Sequence, residues 1–132
     1  MISDLYRRWL LELWNGDFDL ARRLVTPGFA GHWPGQEVSG PEGLIEALRQ
    51  AHEPFDDVKV TLDVGPIVDG DLVSARWTFG GAYRGGLPGA TAASGTRIAF
   101  SGHDILRAHE GRFAEYWVIS DAQTFMRQLD IG

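Results

Sequence analysis

Two stretches of strict alternation limit what this chain can become. Val58, Val60, Leu62 and Val64 are separated by Lys59, Thr61 and Asp63, and Val73, Ala75, Trp77 and Phe79 by Ser74, Arg76 and Thr78. A period of two sends successive side chains to opposite faces, so each stretch predicts a half-buried strand. Asp69-Gly70-Asp71 turns the first into the second, which spans 72–83. A loop rich in Gly, Ala and Pro (85–95) follows, and then two more strands, about 96–108 and 113–120, joined at His109-Glu110-Gly111.

The first half follows the helical period instead. Asp4 can cap a segment whose apolar members Leu5, Trp9, Leu10, Leu13 and Trp14 recur on one face. Asn15-Gly16-Asp17 breaks it, and Asp17 can cap a short second helix that ends at Pro27-Gly28. Residues 29–38 are too rich in Gly and Pro for a helix and predict a short strand and loop. Ser39-Gly40-Pro41-Glu42 opens a third helix with Leu44, Ile45 and Leu48 on one face, and a last short helix is predicted over 121–129. Three helices followed by antiparallel strands predict an α+β fold, the helices packed on one face of a curved sheet that can wrap around a pocket. The 132 residues suit a single domain, 1–132.

Composition removes several classes of function. The net charge is −6 and the arginines fall in short pairs beside helical acids, so no basic stripe is available for nucleic acid. No apolar run approaches the ~20 residues that cross a bilayer, and the acidic N-terminus lacks a small-residue cleavage site. The cytoplasm is the expected location. Cysteine is absent, which removes disulfides, thiolate metal sites and cysteine nucleophiles. His103 and His109 lie about 20 Å apart along one strand, and no metal site is expected. No Gly-x-Ser-x-Gly elbow is present, and the glycine pairs at 80–81 and 85–86 precede no helix.

The last hairpin decides which polar residues share a face. A two-residue turn would place Glu110 at positive φ, so a three-residue turn with only Gly111 left-handed is expected. That register pairs Ala108 with Arg112, Ile105 with Glu115 and His103 with Trp117, leaving Ala99 opposite Asp121. Ser101, His103, Ile105 and Arg107 then share a face with Glu115, Trp117, Ile119 and Asp121. A one-residue slip would substitute Phe100, Gly102, Asp104 and Leu106 for the first set. Asp121 has two readings. Ser120-Asp121-Ala122-Gln123 fits a capping box, with Asp121 in the first turn of a helix; alternatively Asp121 is a pocket acid beside Trp117 and Ile119. Arg107 and Glu115 could equally form an exposed pair. Val73, Ala75, Trp77 and Phe79 suggest a second apolar sheet face that the helices leave uncovered, and hence a homodimer.

The order of motifs resembles the SnoaL-like polyketide cyclases of the nuclear-transport-factor-like superfamily. The motifs are His32-x-Pro34, Gly40-Pro41-Glu42-Gly43, Arg76-Trp77-Thr78, Gly102-x-Asp104-Ile105-x-Arg107, Gly111-Arg112 and Glu115-x-Trp117 to Asp121, with Gln128-Leu129 closing the chain. The resemblance runs from about Leu5 to Leu129. It implies a cone-shaped α+β barrel with an internal pocket, and closure of a ring by intramolecular aldol condensation without metal or cofactor. By position it implies Asp121 as the acid/base, aided by Arg107 and His32, with Trp117, His103, Ile119, Tyr83 and Trp33 against a small hydrophobic, polyketide-like substrate. The chain departs from many relatives in carrying Tyr83 where they have a histidine, and in its loop Leu87 to Gly95. Isomerisation, dehydration or epoxide hydrolysis in the same pocket, and a non-catalytic ligand-binding or dimerisation module, are the alternatives. Titration of Asp121 separates the last from the enzymes.

Overall fold

The helical first half folds onto the alternating second half in a computed structural model that describes residues 1–131. In chain order the elements are α1 (Ile2–Arg8), α2 (Ala21–Leu24), β1 (Val25–Trp33), β2 (Gln36–Ser39), α3 (Gly40–His52), β3 (Phe55–Asp69), β4 (Leu72–Tyr83), β5 (Arg97–His109), β6 (Arg112–Ser120) and α4 (Ala122–Gln128). The strands form a six-stranded sheet in the order β2-β1-β6-β5-β4-β3. All neighbours are antiparallel except β1 and β6, which run parallel. This α+β architecture agrees with the expectation; the parallel pair departs from it, and the second helix stops at Leu24 rather than at Pro27-Gly28, which already belong to β1. No helix is long and apolar enough to cross a membrane.

Curvature comes from irregular pairing. The β3–β4 register shifts three times, between Asp56 and Lys59, between Leu62 and Val64, and between Val64 and Ile67. Each shift bends the strand and increases its twist, which wraps the sheet around the helices. The shifts also let β3 run through Pro66, which donates no ladder hydrogen bond, beyond the alternating 58–64.

The core lies between the concave face of the sheet and the helices. Tyr6, Trp9, Leu10 and Leu13 come from the first helical segment, Leu44, Ile45 and Leu48 from α3, and Leu106, Phe113 and Tyr116 from the sheet; all are buried. Val73, Ala75, Trp77 and Phe79 are also buried among them, so they are not an uncovered second face and the argument for a dimer from these four falls. After Arg8 the first helix widens into a π-type turn over Trp9–Leu13, where Trp14 N–H donates to the Trp9 carbonyl at 3.2 Å. The extra residue in the turn brings Trp14 round to the interior side.

The β5–β6 hairpin differs from the expected one. His109 pairs with Arg112 across a two-residue turn, with Glu110 at φ 50° and Gly111 at φ 81°. The glutamate accepts a left-handed conformation because the turn's twist matches that of the strands. A bulge follows, so that Arg107 faces Glu115, Ile105 faces Trp117 and His103 faces Ile119. The bulge shifts pairing by one further residue. Together the two departures move each partner by two, which preserves the face each residue occupies while changing what lies opposite.

Candidate active site

Faces, rather than pairings, determine the site. On β5 the inward positions are Ile98, Phe100, Gly102, Asp104 and Leu106, and the outward ones include His103, Ile105 and Arg107. Asp104 is thus an acid in an apolar series, 2% exposed and the one buried charged side chain among the described residues. The Tyr6 hydroxyl of α1 lies 3.0 and 3.1 Å from its two carboxylate oxygens and donates between them. Burial pushes the Asp104 carboxyl from the ordinary 3.8 up to about 7, against the opposing pull of Tyr6, the Trp77 indole and backbone N–H groups. Burial, reinforced by the charge of Asp104, holds the Tyr6 hydroxyl far above its usual range, so it stays a proton donor at any working pH.

Above this pair is a chamber of 220 Å³ walled by aromatic rings, among them Trp33, Phe55, Phe100 and Phe125. A narrower space of 10 Å³, about the room one water needs, touches Asp104 itself. Trp14, Trp77, Phe79 and Tyr116 line both, so the space at Asp104 adjoins the chamber. Phe125 of α4 closes the far side against Phe55 and Phe100, at ring separations of 6.0 and 5.0 Å. Gln128 fastens α4 to β5 by hydrogen bonds with both backbone groups of Ala99. Tyr116, buried beside Asp104 and Tyr6, has its hydroxyl pushed up by burial and then by their charge. An acid titrating near neutrality, next to a permanent donor and under an apolar roof, can take a proton from a carbon acid and return it.

The residues singled out from sequence lie mostly elsewhere. Asp121 is exposed at the start of α4, where it caps the helix: the Thr124 amide donates to Oδ1 at 3.0 Å and the Thr124 hydroxyl to Oδ2 at 2.6 Å. Those bonds hold its carboxyl below the ordinary value. Ser120, expected as the cap, is the last residue of β6. Arg107 points outward, donating to Asp71 at 3.1 Å with its guanidinium 6.0 Å above the Trp117 ring. His32 is on the outer face too, held between Glu37 at 2.6 Å and Glu115 at 2.8 Å and stacked on Trp117. His103 receives Arg76 at 3.1 Å. His32, Trp33, His103, Trp117 and Ile119 do converge, around an open groove of 610 Å³ on the convex side. Tyr83 is buried, and its hydroxyl accepts from the Leu87 amide at 2.8 Å, which anchors the loop after β4. Of the eight, only Trp33 also lines the inner chamber, edge-on to Tyr116 at 4.9 Å.

In the sequence Asp104 stands out only as a motif residue and as a member of the slipped register, and Tyr6 not at all, although a signal for the acid is present. Ile98, Phe100, Gly102 and Leu106 form an apolar alternation in which Asp104 is the single interruption. Trp117 and Ile119 on the next strand obscured it by making the outer face look like the buried one.

A cone-like α+β fold enclosing an aromatic chamber with an acid at its base defines a class of small-molecule pocket proteins. Comparison with known proteins narrows the class: residues 4–129 match the family model of the SnoaL-like polyketide cyclases, and the chain belongs to that family. The structure is similar to TsrD from Streptomyces laurentii at 31% identity and a TM-score of 0.84, covering 99% of this chain and 96% of that one. It is also similar to IdmH from Streptomyces antibioticus, a candidate polyketide cyclase, at 26% identity and a TM-score of 0.82, covering 98% of each chain. A protein of ketosteroid-isomerase-like fold from Catenulispora acidiphila matches at 17% identity with a TM-score of 0.78, covering 98% of this chain and 94% of that one, a likeness of fold alone. No curated protein matches the chain.

Proposed function

We propose that this protein is a cofactor-free cyclase-type enzyme acting on a hydrophobic, polyketide-like molecule, with Asp104 as its acid/base. The observation that carries the reading is a buried carboxyl, bonded by the Tyr6 hydroxyl and pushed up by burial, in a space that adjoins an aromatic chamber. Ionised Asp104 removes a proton from a carbon flanked by carbonyls, leaving an enolate. The enolate carbon bonds to a second carbonyl carbon of the same molecule, and the alkoxide formed there takes the proton back from Asp104. Both reacting ends held in one chamber supply the entropic part of the acceleration. Asp121 serves this reading as a helix cap, and Arg107 and His32 as supports of the outer face.

Proton abstraction can be tested without the natural substrate. Exchange of the C2 protons of 1-phenylbutane-1,3-dione for deuterium, followed by NMR at pD 7.5, should be accelerated by the protein and by Asp121→Asn. Asp104→Asn should reduce it to the buffer rate. Equal exchange by Asp104→Asn and the parent, or none by the parent, would reject the assignment.

We also propose a homodimer, through the convex face rather than through the face of Val73, Ala75, Trp77 and Phe79. Ile119 is 70% exposed and Ile105 45%, and Trp117 lies beside them. Contiguous apolar surface of this kind favours a second copy over solvent. Sedimentation velocity at micromolar concentration should give a dimer that Ile119→Glu disrupts; a monomeric parent would overturn this part alone.

A further inference from the structure

The molecule has two buried side-chain N–H groups without a hydrogen-bond partner, Nε1 of Trp9 and Nε1 of Trp77. Orphaned donors are rare in folded proteins, and each needs a physical reason. Trp9 has one at hand: it is wholly buried among Phe29, Phe113 and Tyr116, with ring centroids 4.9–6.0 Å away, so its N–H lies among π-faces, which are weak acceptors. Trp9 lines neither space of the active site. Trp77 lines both, the 220 Å³ chamber and the 10 Å³ space at Asp104, and is itself only 8% exposed.

The position of the Trp77 indole is fixed from the strand opposite. Trp77 pairs with Gly102 in the β4–β5 ladder, and a Cβ on Gly102 would overlap Cζ2 and Cη2 of the ring. Cζ2 adjoins the carbon that carries Nε1, so the glycine that admits the ring's edge also sets where its N–H lies. Asp104 is two residues further along β5 on the same face. The indole helps hold the Asp104 carboxyl down, although no acceptor meets its N–H in hydrogen-bond geometry. The result is a fixed donor beside an acid, at a space of about one water's volume that both residues line.

Building on the acid/base reading of Asp104, we propose that the Trp77 indole N–H is a catalytic hydrogen-bond donor that receives the substrate's carbonyl oxygen and stabilises it as the enolate. The group it selects is a neutral carbonyl whose α-carbon faces Asp104: a ketone or 1,3-dicarbonyl on an aromatic or otherwise flat apolar body. A donor already oriented in an apolar site does no reorganising as charge develops on oxygen, which is where such donors contribute most. Carboxylate substrates are disfavoured, because a second anion would meet the charge of Asp104.

The test separates this donor from the chamber itself. Acetophenone and ethylbenzene have nearly the same shape and differ in one acceptor oxygen. Titrated into ¹⁵N-labelled full-length protein, both should bind in the chamber, with acetophenone favoured by about 10-fold, the contribution of one hydrogen bond to an otherwise unpaired donor. The Trp77 indole N–H resonance, assigned by its loss in Trp77→Phe, should move downfield with acetophenone and stay near its free position with ethylbenzene. Trp77→Phe should erase the preference and slow deuterium exchange of 1-phenylbutane-1,3-dione on the order of 100-fold. Binding of both ligands with equal affinity and no downfield shift would overturn the role of Trp77 and leave the Asp104 assignment standing. If neither ligand binds, the chamber is not a ligand site, and both conclusions fall. The resonance is read in the parent protein, so the result holds even if Trp77→Phe folds poorly.

Discussion

Replacing Asp104 with asparagine should make this protein more stable above neutral pH. In the unfolded chain the carboxyl titrates at its ordinary 3.8, whereas burial in the fold raises it to about 7. Between those values the folded state holds a proton that the unfolded state has already released. Raising the pH across the window therefore favours unfolding through this group: its contribution is fully present below about pH 4, is lost up to about pH 7, and levels off above about pH 8. At ~1.36 kcal/mol per pH unit, the span is worth ~4 kcal/mol, an upper bound for the penalty of ionising Asp104 in place. Asparagine keeps the shape and can still accept from Tyr6, but its amide brings two donors into a space with few acceptors, an offset of ~1–2 kcal/mol. The expectation is a gain of ~2–3 kcal/mol at pH 8.5 and almost no change at pH 5, where ~1.6 kcal/mol of relieved penalty balances the cost of the amide. Urea unfolding followed by tryptophan fluorescence at half-unit steps from pH 5 to 9 measures it. The difference between variant and parent isolates Asp104 from every other titrating group. Curves that stay parallel across the range would refute the claim that this carboxyl ionises late.

Three further outcomes follow from the same geometry. Asp121→Ala removes a capping carboxylate bonded to Thr124 and should cost about 1 kcal/mol in thermal unfolding while leaving deuterium exchange unchanged; a loss of exchange in a folded variant would return Asp121 to the chemistry. Gly102→Ala places a methyl against Trp77 and 2.9 Å from the Ile119 carbonyl, so it should destabilise by ~1–3 kcal/mol and displace the Trp77 N–H resonance before any other indole signal. His32 lies between Glu115 and Glu37, whose hydrogen bonds raise its pKa, so its stabilising charge is present at acidic pH and is lost as pH rises through that raised value. NMR titration should find it above the ordinary histidine value, and Glu115→Gln should lower it.

Much of the architecture could be read from periodicity, since the burial of one strand face against helices leaves a strong trace in composition. Val73, Ala75, Trp77 and Phe79 alternate because they face the core, and Leu44, Ile45 and Leu48 recur because α3 presents one side. The site was legible only in part, for two physical reasons. The β5–β6 turn defeats a propensity argument, since Glu110 takes up positive φ where the twist of the hairpin demands it. Burial of a charge also runs against composition: Asp104 sits where an aliphatic residue would be expected, and what makes it tolerable, the Tyr6 hydroxyl, is separated from it by 98 positions in sequence. No local pattern can reveal a hydrogen bond between the first helix and the fifth strand. Trp117 and Ile119, apolar but facing out, misled for the converse reason, because a chain alone cannot distinguish a core face from one that awaits a partner.

The sheet divides the titrating groups into two populations that do different things. On the convex side, His32 with Glu37 and Glu115, Arg107 with Asp71, and Thr78 with Asp63 form an exposed network. Each member has solvent available, so altering one changes stability modestly. On the concave side lies one buried carboxyl, Asp104, and the ionisation that the proposed chemistry requires of it is the same one that weakens the fold. Activity should therefore rise with pH through about 7, over the very interval in which stability falls. Tyr6 and Trp77 both moderate that conflict by holding the carboxyl down. The first satisfies the carboxylate within the fold, and on the proposed role of Trp77 the second gains its acceptor only when a carbonyl occupies the chamber. A ligand of the right chemistry should thus stabilise the protein most at alkaline pH, where empty chamber and charged acid are most at odds.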